Sequence, residues 1–526
     1  MPQPEPHSGT PPSLTTTGAQ SAAQSAAQRK ASARAWRFRL AAIGLGLSVF
    51  VVTELVCRLF GWGAMSVRGG HVAELASDRP LFVLSDDDST YRIAENRRDY
   101  FAEESFPADR SADDYRIFVI GGSTVQGRPF SIQTAFAKCL EMCLQRATDR
   151  SGRVINCGGI SYASYRLVPI VAECLRYEPD LIIICTGHNE FLEFTTYAAA
   201  RRARSVAGAY RLLDRLYSFR LIERGLTKLL RTEAARPPSG DEVSLPQEVD
   251  ALLDHQGGLA AYRRSELDRQ TVETGFYDQL QQMLDLAAAA EVPVILVRPP
   301  ANLADCPPFK SEFSASTTPE QQDRFRQRLA DASSGLSTGD PMRMQRAVTE
   351  LQTLTQQDPG YALAWYQLGR ALLNGGRVDE ATVAFQRACD EDICPLRMTT
   401  SLDQELRQIV NDRDVPFLDA HQLLTERSRR RIVDDSVLVD HVHPSFQSHL
   451  AIAVALVELL EQQQWMTISR SSWKSDTQQD FSAHLQTLDD MYYLRGRQML
   501  DVLEAWAAGR ADGSPLSQEP STRPGH

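Results

Sequence analysis

The chain has 526 residues, 43% of them hydrophobic and 23% charged, and a formal net charge of −11. That length allows more than one domain with an ample core, and the acidic balance speaks against a protein whose main task is binding nucleic acid. Its nine cysteines include no C-x-x-C pair, so neither a zinc ribbon nor a dithiol redox motif is indicated.

Residues 1–28 are rich in Ser, Thr, Pro, Gln and Ala and hold few large apolar side chains, so the sequence predicts a disordered tail. Residues 29–62 read as a transmembrane signal anchor. Arg29, Lys30, Arg34, Arg37 and Arg39 precede an uncharged apolar run, Glu54 interrupts it with Arg58 four residues on, and Leu59, Phe60 and Trp62 extend it. No small-residue cleavage site follows plainly. The charge asymmetry predicts a cytoplasmic amino terminus and an extracytoplasmic body, periplasmic or extracellular. Residues 63–114 are polar and irregular and read as a linker.

From Arg116 the chain alternates strand and helix. Arg116-Ile117-Phe118-Val119-Ile120 runs into Gly121-Gly122-Ser123-Thr124, and an amphipathic helix is expected over 132–146. A serine there stands at the carboxyl end of a strand, where open α/β sheets place their ligand crevice. A second strand ends in Asn156-Cys157-Gly158-Gly159, with a helix over 167–177. The run Leu181-Ile182-Ile183-Ile184-Cys185 has the continuous apolar character of a parallel strand buried on both faces. Later strands are expected at 292–297 and 415–418. Strands separated by helices predict a doubly wound α/β fold, three αβα layers with helices on both faces of a parallel sheet.

The α/β body spans 115–470, with two helical insertions. The first, 194–286, is basic at its start, with Arg201, Arg202, Arg204, Arg211 and Arg215; a solvated helical face, a lid or a contact with anionic lipid or polymer would explain it. The second, 340–392, places Trp365, Leu368, Gly369, Ala381, Phe385 and Ala388 at the spacing of a tetratricopeptide helix pair, with Ala347 and Pro359 one repeat upstream and Leu372 as a departure. Such a short array has to lean on the body or on a protein partner. Residues 471–526 read as a closing helix and tail. Cys306 and Cys394, each beside a proline, would be the pair to form a disulfide outside the cytoplasm.

Near the end of the body, Asp440-His441-Val442-His443 opens an apolar helix, so a carboxylate and an imidazole three residues apart face one crevice. The three blocks Gly121-Gly122-Ser123-Thr124, Gly187-His188-Asn189-Glu190 and Asp440-His441-Val442-His443 together resemble the SGNH/GDSL hydrolase superfamily. The resemblance implies Ser123 as nucleophile, Asn189 as a side-chain oxyanion donor, Asp440 as the orienting acid and His443 as the base. It implies a further oxyanion N–H from the second block, from Gly159 or from Ser161. The departures are Gly122 where many members carry aspartate, Ser161 where glycine is frequent, and Glu190 in place of aspartate. His441 would point away from the serine, and His188 would help shape the crevice.

The implied chemistry is ester hydrolysis of an acylated small molecule, glycan or lipid, with no metal or organic cofactor. Transfer of the acyl group to a sugar hydroxyl would use the same residues. A catalytically silent scaffold holding a partner on its repeat helices is the reading from another class. No Walker or dinucleotide fingerprint follows the first strand.

Overall fold

Seven consecutive buried residues, Tyr115–Gly121, form an inner strand of the main sheet. Their side chains alternate between two cores: Phe118 and Ile120 face one, Ile117 and Val119 the other. That two-sided burial is why the run reads as continuously apolar. The computed structural model describes residues 80–111, 114–192, 259, 262–337 and 340–507, with a few positions between 48 and 59. Contacts divide the chain into two units, residues 1–64 with 205–241, and residues 65–204 with 242–526. All that follows concerns the second.

Strands β1 Phe82–Leu84, β2 Thr90–Ile93 and β3 Ser105–Pro107 form a small antiparallel sheet. Strands β4 Tyr115–Gly121, β5 Gly152–Gly158, β6 Leu181–Cys185, β7 Val294–Arg298 and β8 Phe417–Asp419 form the main sheet, ordered β5-β4-β6-β7-β8. Every pair in it is parallel. In order of appearance that is the flavodoxin-like arrangement 2-1-3-4-5, with the switch point between β4 and β6. Helices Phe136–Ala147, Phe446–Gln462 and Trp473–Thr487 pack together on one face. Ser164–Cys174, Glu266–Ala289 and Thr400–Arg413 cover the other.

Several sequence expectations change. Residues 80–111 are no linker: Leu81, Phe82, Ile93, Phe101 and Phe106 are buried in the main core. The Phe106 ring meets Phe82 at 5.0 Å and Phe118 at 5.4 Å. The strands are only three or four residues long, too short for the alternation that would have marked them. The helix Glu266–Ala289 belongs to the α layer, because Val272, Phe276, Leu280 and Met283 join the same core. The first insertion therefore ends before it, and its basic start lies outside the described residues.

The second insertion begins earlier than expected. Helix Pro319–Ser334, opened by a Thr318/Gln321 capping box, packs on Pro341–Gln357, followed by Ala362–Asn374 and Val378–Asp390. Their core takes in Leu303 and Ile432 from the loops of the main body. The carboxyl-terminal region holds two helices where one was expected, Trp473–Thr487 and Asp490–Ala507. Trp473 and Phe481 bury the first of them against the main sheet's helical layer. Cys306 and Cys394 are buried thiols with no disulfide between them, each 2% exposed or less. The anchor over 29–62 falls almost wholly outside the described residues, and no described helix is long and apolar enough to cross a membrane.

Candidate active site

Ser123 lies two residues beyond β4, at the first position of the short helix Ser123–Gln126. Gly121 closes the strand and Gly122 caps the turn. The turn is tight because Val125 and Gln126 both donate their N–H groups to the Gly122 carbonyl, at 3.1 and 3.2 Å. The Ser123 N–H has no backbone acceptor among the described residues.

The partner groups arrive from the far end of the chain. Residues 437–445 make a narrow turn, held by Val439 N–H to His443 O at 2.9 Å and Ser445 N–H to Val437 O at 3.0 Å. Within it Asp440 uses both carboxylate oxygens. Oδ1 accepts the N–H groups of Val442 and His443 at 2.9 and 2.8 Å, and Oδ2 meets His443 Nδ1 at 2.6 Å. The three-residue spacing is what lets one carboxylate hold both the turn and the ring. His443 Nε2 then lies 2.8 Å from Ser123 Oγ. Asp440 and His443 are 6% and 2% exposed. Burial by itself would raise the Asp440 carboxyl, but the imidazoles of His443 and His441 and the bonds it accepts outweigh that and hold it well below the usual carboxylate range.

Asn189 follows β6 on the other side of the switch point. Its Nδ2 donates to the Tyr162 carbonyl at 3.2 Å, which leaves the second amide hydrogen uncommitted. A Cβ placed on Gly122 would stand 2.9 Å from that Nδ2, so the glycine clears room for the amide. Glu190 is buried beneath it and accepts from Ser164 N–H at 3.0 Å and Ser164 Oγ at 2.7 Å. It ties the third block to the helix that begins at Ser164.

The open choice in the second block narrows. Gly159 N–H donates to Gly121 O at 2.9 Å and is spent on holding two loops together. Ser161 sits at φ 59°, in the left-handed region that favours glycine, and its N–H has no backbone acceptor among the described residues. Of the two, the Ser161 N–H is the one without a backbone acceptor among the described residues.

The two extra histidines are both buried. His441 stands with its ring centroid 5.8 Å from that of His443 and Nδ1 3.6 Å from Asp440 Oδ1. Burial pushes its imidazole down to about 4 against the pull of the carboxylate. It lies beside the Asp440 carboxylate, and its ring packs edge-on against Phe309 at 5.3 Å. His188 accepts the Met398 N–H at Nδ1 over 3.1 Å, and burial drives its imidazole well below the ordinary histidine value.

Sequence reasoning missed what supports these groups. Asn302, just after β7, donates Nδ2 to Asp440 O at 3.2 Å and to Asp435 Oδ1 at 2.9 Å, while its N–H reaches His441 O at 2.9 Å. Arg397, fully buried, donates to the carbonyls of Asn302 and Cys306, both at 2.7 Å. The strand ending at Arg298-Pro299-Pro300 marked a loop at the carboxyl edge of the sheet, but no local motif singled out Asn302.

No protein-family model and no curated protein matches the chain. Among solved structures it is similar to a candidate lipolytic protein of the G-D-S-L family from Desulfitobacterium hafniense DCB-2, at 10% identity and a TM-score of 0.29, over 66% of this chain and 100% of that one. It is also similar to a candidate acylhydrolase from Bacteroides fragilis NCTC 9343, at 11% identity and a TM-score of 0.28, over 68% of this chain and 90% of that one. At these TM-scores neither likeness bears on fold or chemistry, which rest on the strand order and side-chain geometry above.

Proposed function

We propose that the chain is a serine ester hydrolase that removes an acyl group from a small-molecule, glycan or lipid ester. The observation that carries this is the unbroken chain of contacts from Ser123 Oγ to His443 Nε2 at 2.8 Å and from His443 Nδ1 to Asp440 Oδ2 at 2.6 Å. His443 accepts the Ser123 proton as Oγ attacks the acyl carbonyl, and Asp440 fixes the ring and stabilises the imidazolium. The Ser123 and Ser161 N–H groups and the Asn189 amide receive the oxyanion. Collapse of the intermediate expels the alcohol, protonated by His443, and leaves an acyl-serine. Water, deprotonated by His443, then attacks the ester and frees Ser123. With a sugar hydroxyl in place of that water, the same residues transfer the acyl group.

The basic residues Arg29 to Arg39 and the apolar run behind them support an anchored enzyme with its body outside the cytoplasm. The helical layer over 319–390 is the part suited to a protein partner, and its repeat spacing supports a tetratricopeptide-like reading.

The test is labelling of the full chain with a fluorophosphonate probe, beside Ser123→Ala and His443→Ala. Labelling of the parent with loss in both variants is expected. A folded parent that stays unlabelled would reject the hydrolase reading.

A further inference from the structure

Five residues after the nucleophile, Arg128 occupies a loop built between the two halves of the site. Its N–H donates to the Ser123 carbonyl at 3.2 Å, and two residues on Phe130 packs against Phe446 with ring centroids 4.6 Å apart. Phe446 is three residues past His443. The carboxyl-terminal helix Asp490–Ala507 closes the other side. Tyr492 OH lies 2.9 Å from Thr134 Oγ1 and 3.3 Å from Ser131 O, and Phe130 stacks on the Tyr492 ring at 6.2 Å. The backbone that carries Arg128 is thus fixed from three directions, as a binding residue requires.

The side chain itself is poorly served. Arg128 is half-buried, and among the described residues it forms no ion pair with any carboxylate; Nη2 lies against the thioether sulfur of Met499. A thioether is a weak acceptor, and a guanidinium offers five donors in a fork shaped for two anionic oxygens. Burial lowers the guanidinium's pKa while the Asp440 carboxylate pulls the other way, so the group sits within the field of the triad. A cation partly removed from water on a loop whose backbone is bonded to that of Ser123, with no carboxylate paired to it among the described residues, is stabilised by an anion brought from outside.

We propose that Arg128 binds a carboxylate or phosphate carried by the ester substrate, so that the preferred substrates are anionic. This rests on the hydrolase reading above. The anion can lie on the acyl side or on the leaving-group side of the ester, and matched substrates separate the two. Because the loop is held by its backbone and by Phe130, replacement of the guanidinium changes selectivity more than fold.

The experiment compares the full-length parent, Arg128→Gln and Arg128→Lys on two pairs of esters. One pair is para-nitrophenyl succinate against para-nitrophenyl butyrate, the other acetoxybenzoate against acetoxybenzamide. In at least one pair the charged-to-neutral ratio of kcat/KM falls about tenfold or more in Arg128→Gln, the scale of one charge-assisted hydrogen bond, and Arg128→Lys recovers part of it. In parallel, thermal unfolding is followed with rising inorganic phosphate at fixed ionic strength. Phosphate should raise the midpoint of the parent and of Ser123→Ala more than that of Arg128→Gln. Unchanged ratios in both pairs overturn the proposal, as does an equal phosphate shift in parent and Arg128→Gln. If the parent cleaves none of the esters, the hydrolase reading fails, and the phosphate comparison alone decides Arg128.

Discussion

The N–H of Gly159 donates to the carbonyl of Gly121 at 2.9 Å, which fastens the second loop of the site to the strand that delivers Ser123. A Cβ on Gly159 would meet the Tyr162 ring at 2.7 Å and Phe101 at 2.8 Å. The residue is a fastener between loops, and its N–H is committed to that contact.

Ser161 holds a left-handed backbone at φ 59° without being glycine. Ser161→Gly removes that cost, about 1 kcal/mol after the extra freedom of the unfolded chain is deducted, and keeps the N–H. The thermal midpoint should rise by about 2 °C in a body of this size, with kcat within about threefold of the parent. A lower midpoint in calorimetry would count against the assignment.

Gly122→Ala puts a methyl 2.9 Å from Asn189 Nδ2. The amide is the far end of a side chain and can swing aside, so the fold survives while the donor proposed for the oxyanion is displaced. Steady-state kinetics should show kcat down by about a hundredfold, comparable to deleting one such donor, with KM nearly unchanged. Equal losses in kcat and thermal stability would point instead to collapse of the turn.

Burial holds four imidazoles neutral in the native state: His441 is pushed down to about 4, His421 and His449 to about 3, and His188 well below its ordinary value. Unfolding returns each to about 6.5, so below that pH the unfolded chain binds more protons than the native one. Stability should therefore fall as pH drops from about 6.5 to about 4, by up to ~1.4 kcal/mol per pH unit for each histidine. Asp440, held low in the native state, adds to the loss only as pH falls below the usual carboxylate range. Calorimetric proton uptake on unfolding at pH ~5 should approach one for each of these four histidines. A midpoint that does not vary over this window would contradict the burial.

Gly369 lies where helices Ala362–Asn374 and Val378–Asp390 touch, and a Cβ there would come 2.6 Å from the Phe385 ring. Gly369→Ala should destabilise the helical layer by about 1–3 kcal/mol, the usual cost of overpacking. Limited proteolysis should then cut first within 319–390, and an unchanged pattern would show that the two helices can part at little cost.

What could be read from the sequence follows physical range. Strands β4 and β6 were legible because burial on both faces leaves runs such as Leu181 to Cys185 with no polar interruption. The Asp440 and His443 pair was legible because one turn brings them together. Ser161 against Gly159 could not be resolved, since the choice depends on where the Gly159 N–H goes, and its acceptor is Gly121, far back in the chain. Asn302 and Arg397 were invisible for the same reason: their bonds to the Asp440 turn and to Cys306 join segments with no shared periodicity. The strands before residue 110 were missed because so few residues alternate in each.

Glu173 gives the amino-terminal sheet a further meaning. Its buried carboxylate accepts the N–H groups of Leu81 and Phe82 at 2.8 and 2.9 Å and the Tyr177 hydroxyl at 2.9 Å. A fragment trimmed to begin at β4 would strip that carboxylate of both backbone donors and uncover the aromatic side of Phe118. The smallest portion of this chain worth purifying on its own therefore starts ahead of Leu81, well upstream of the first residue that touches the chemistry.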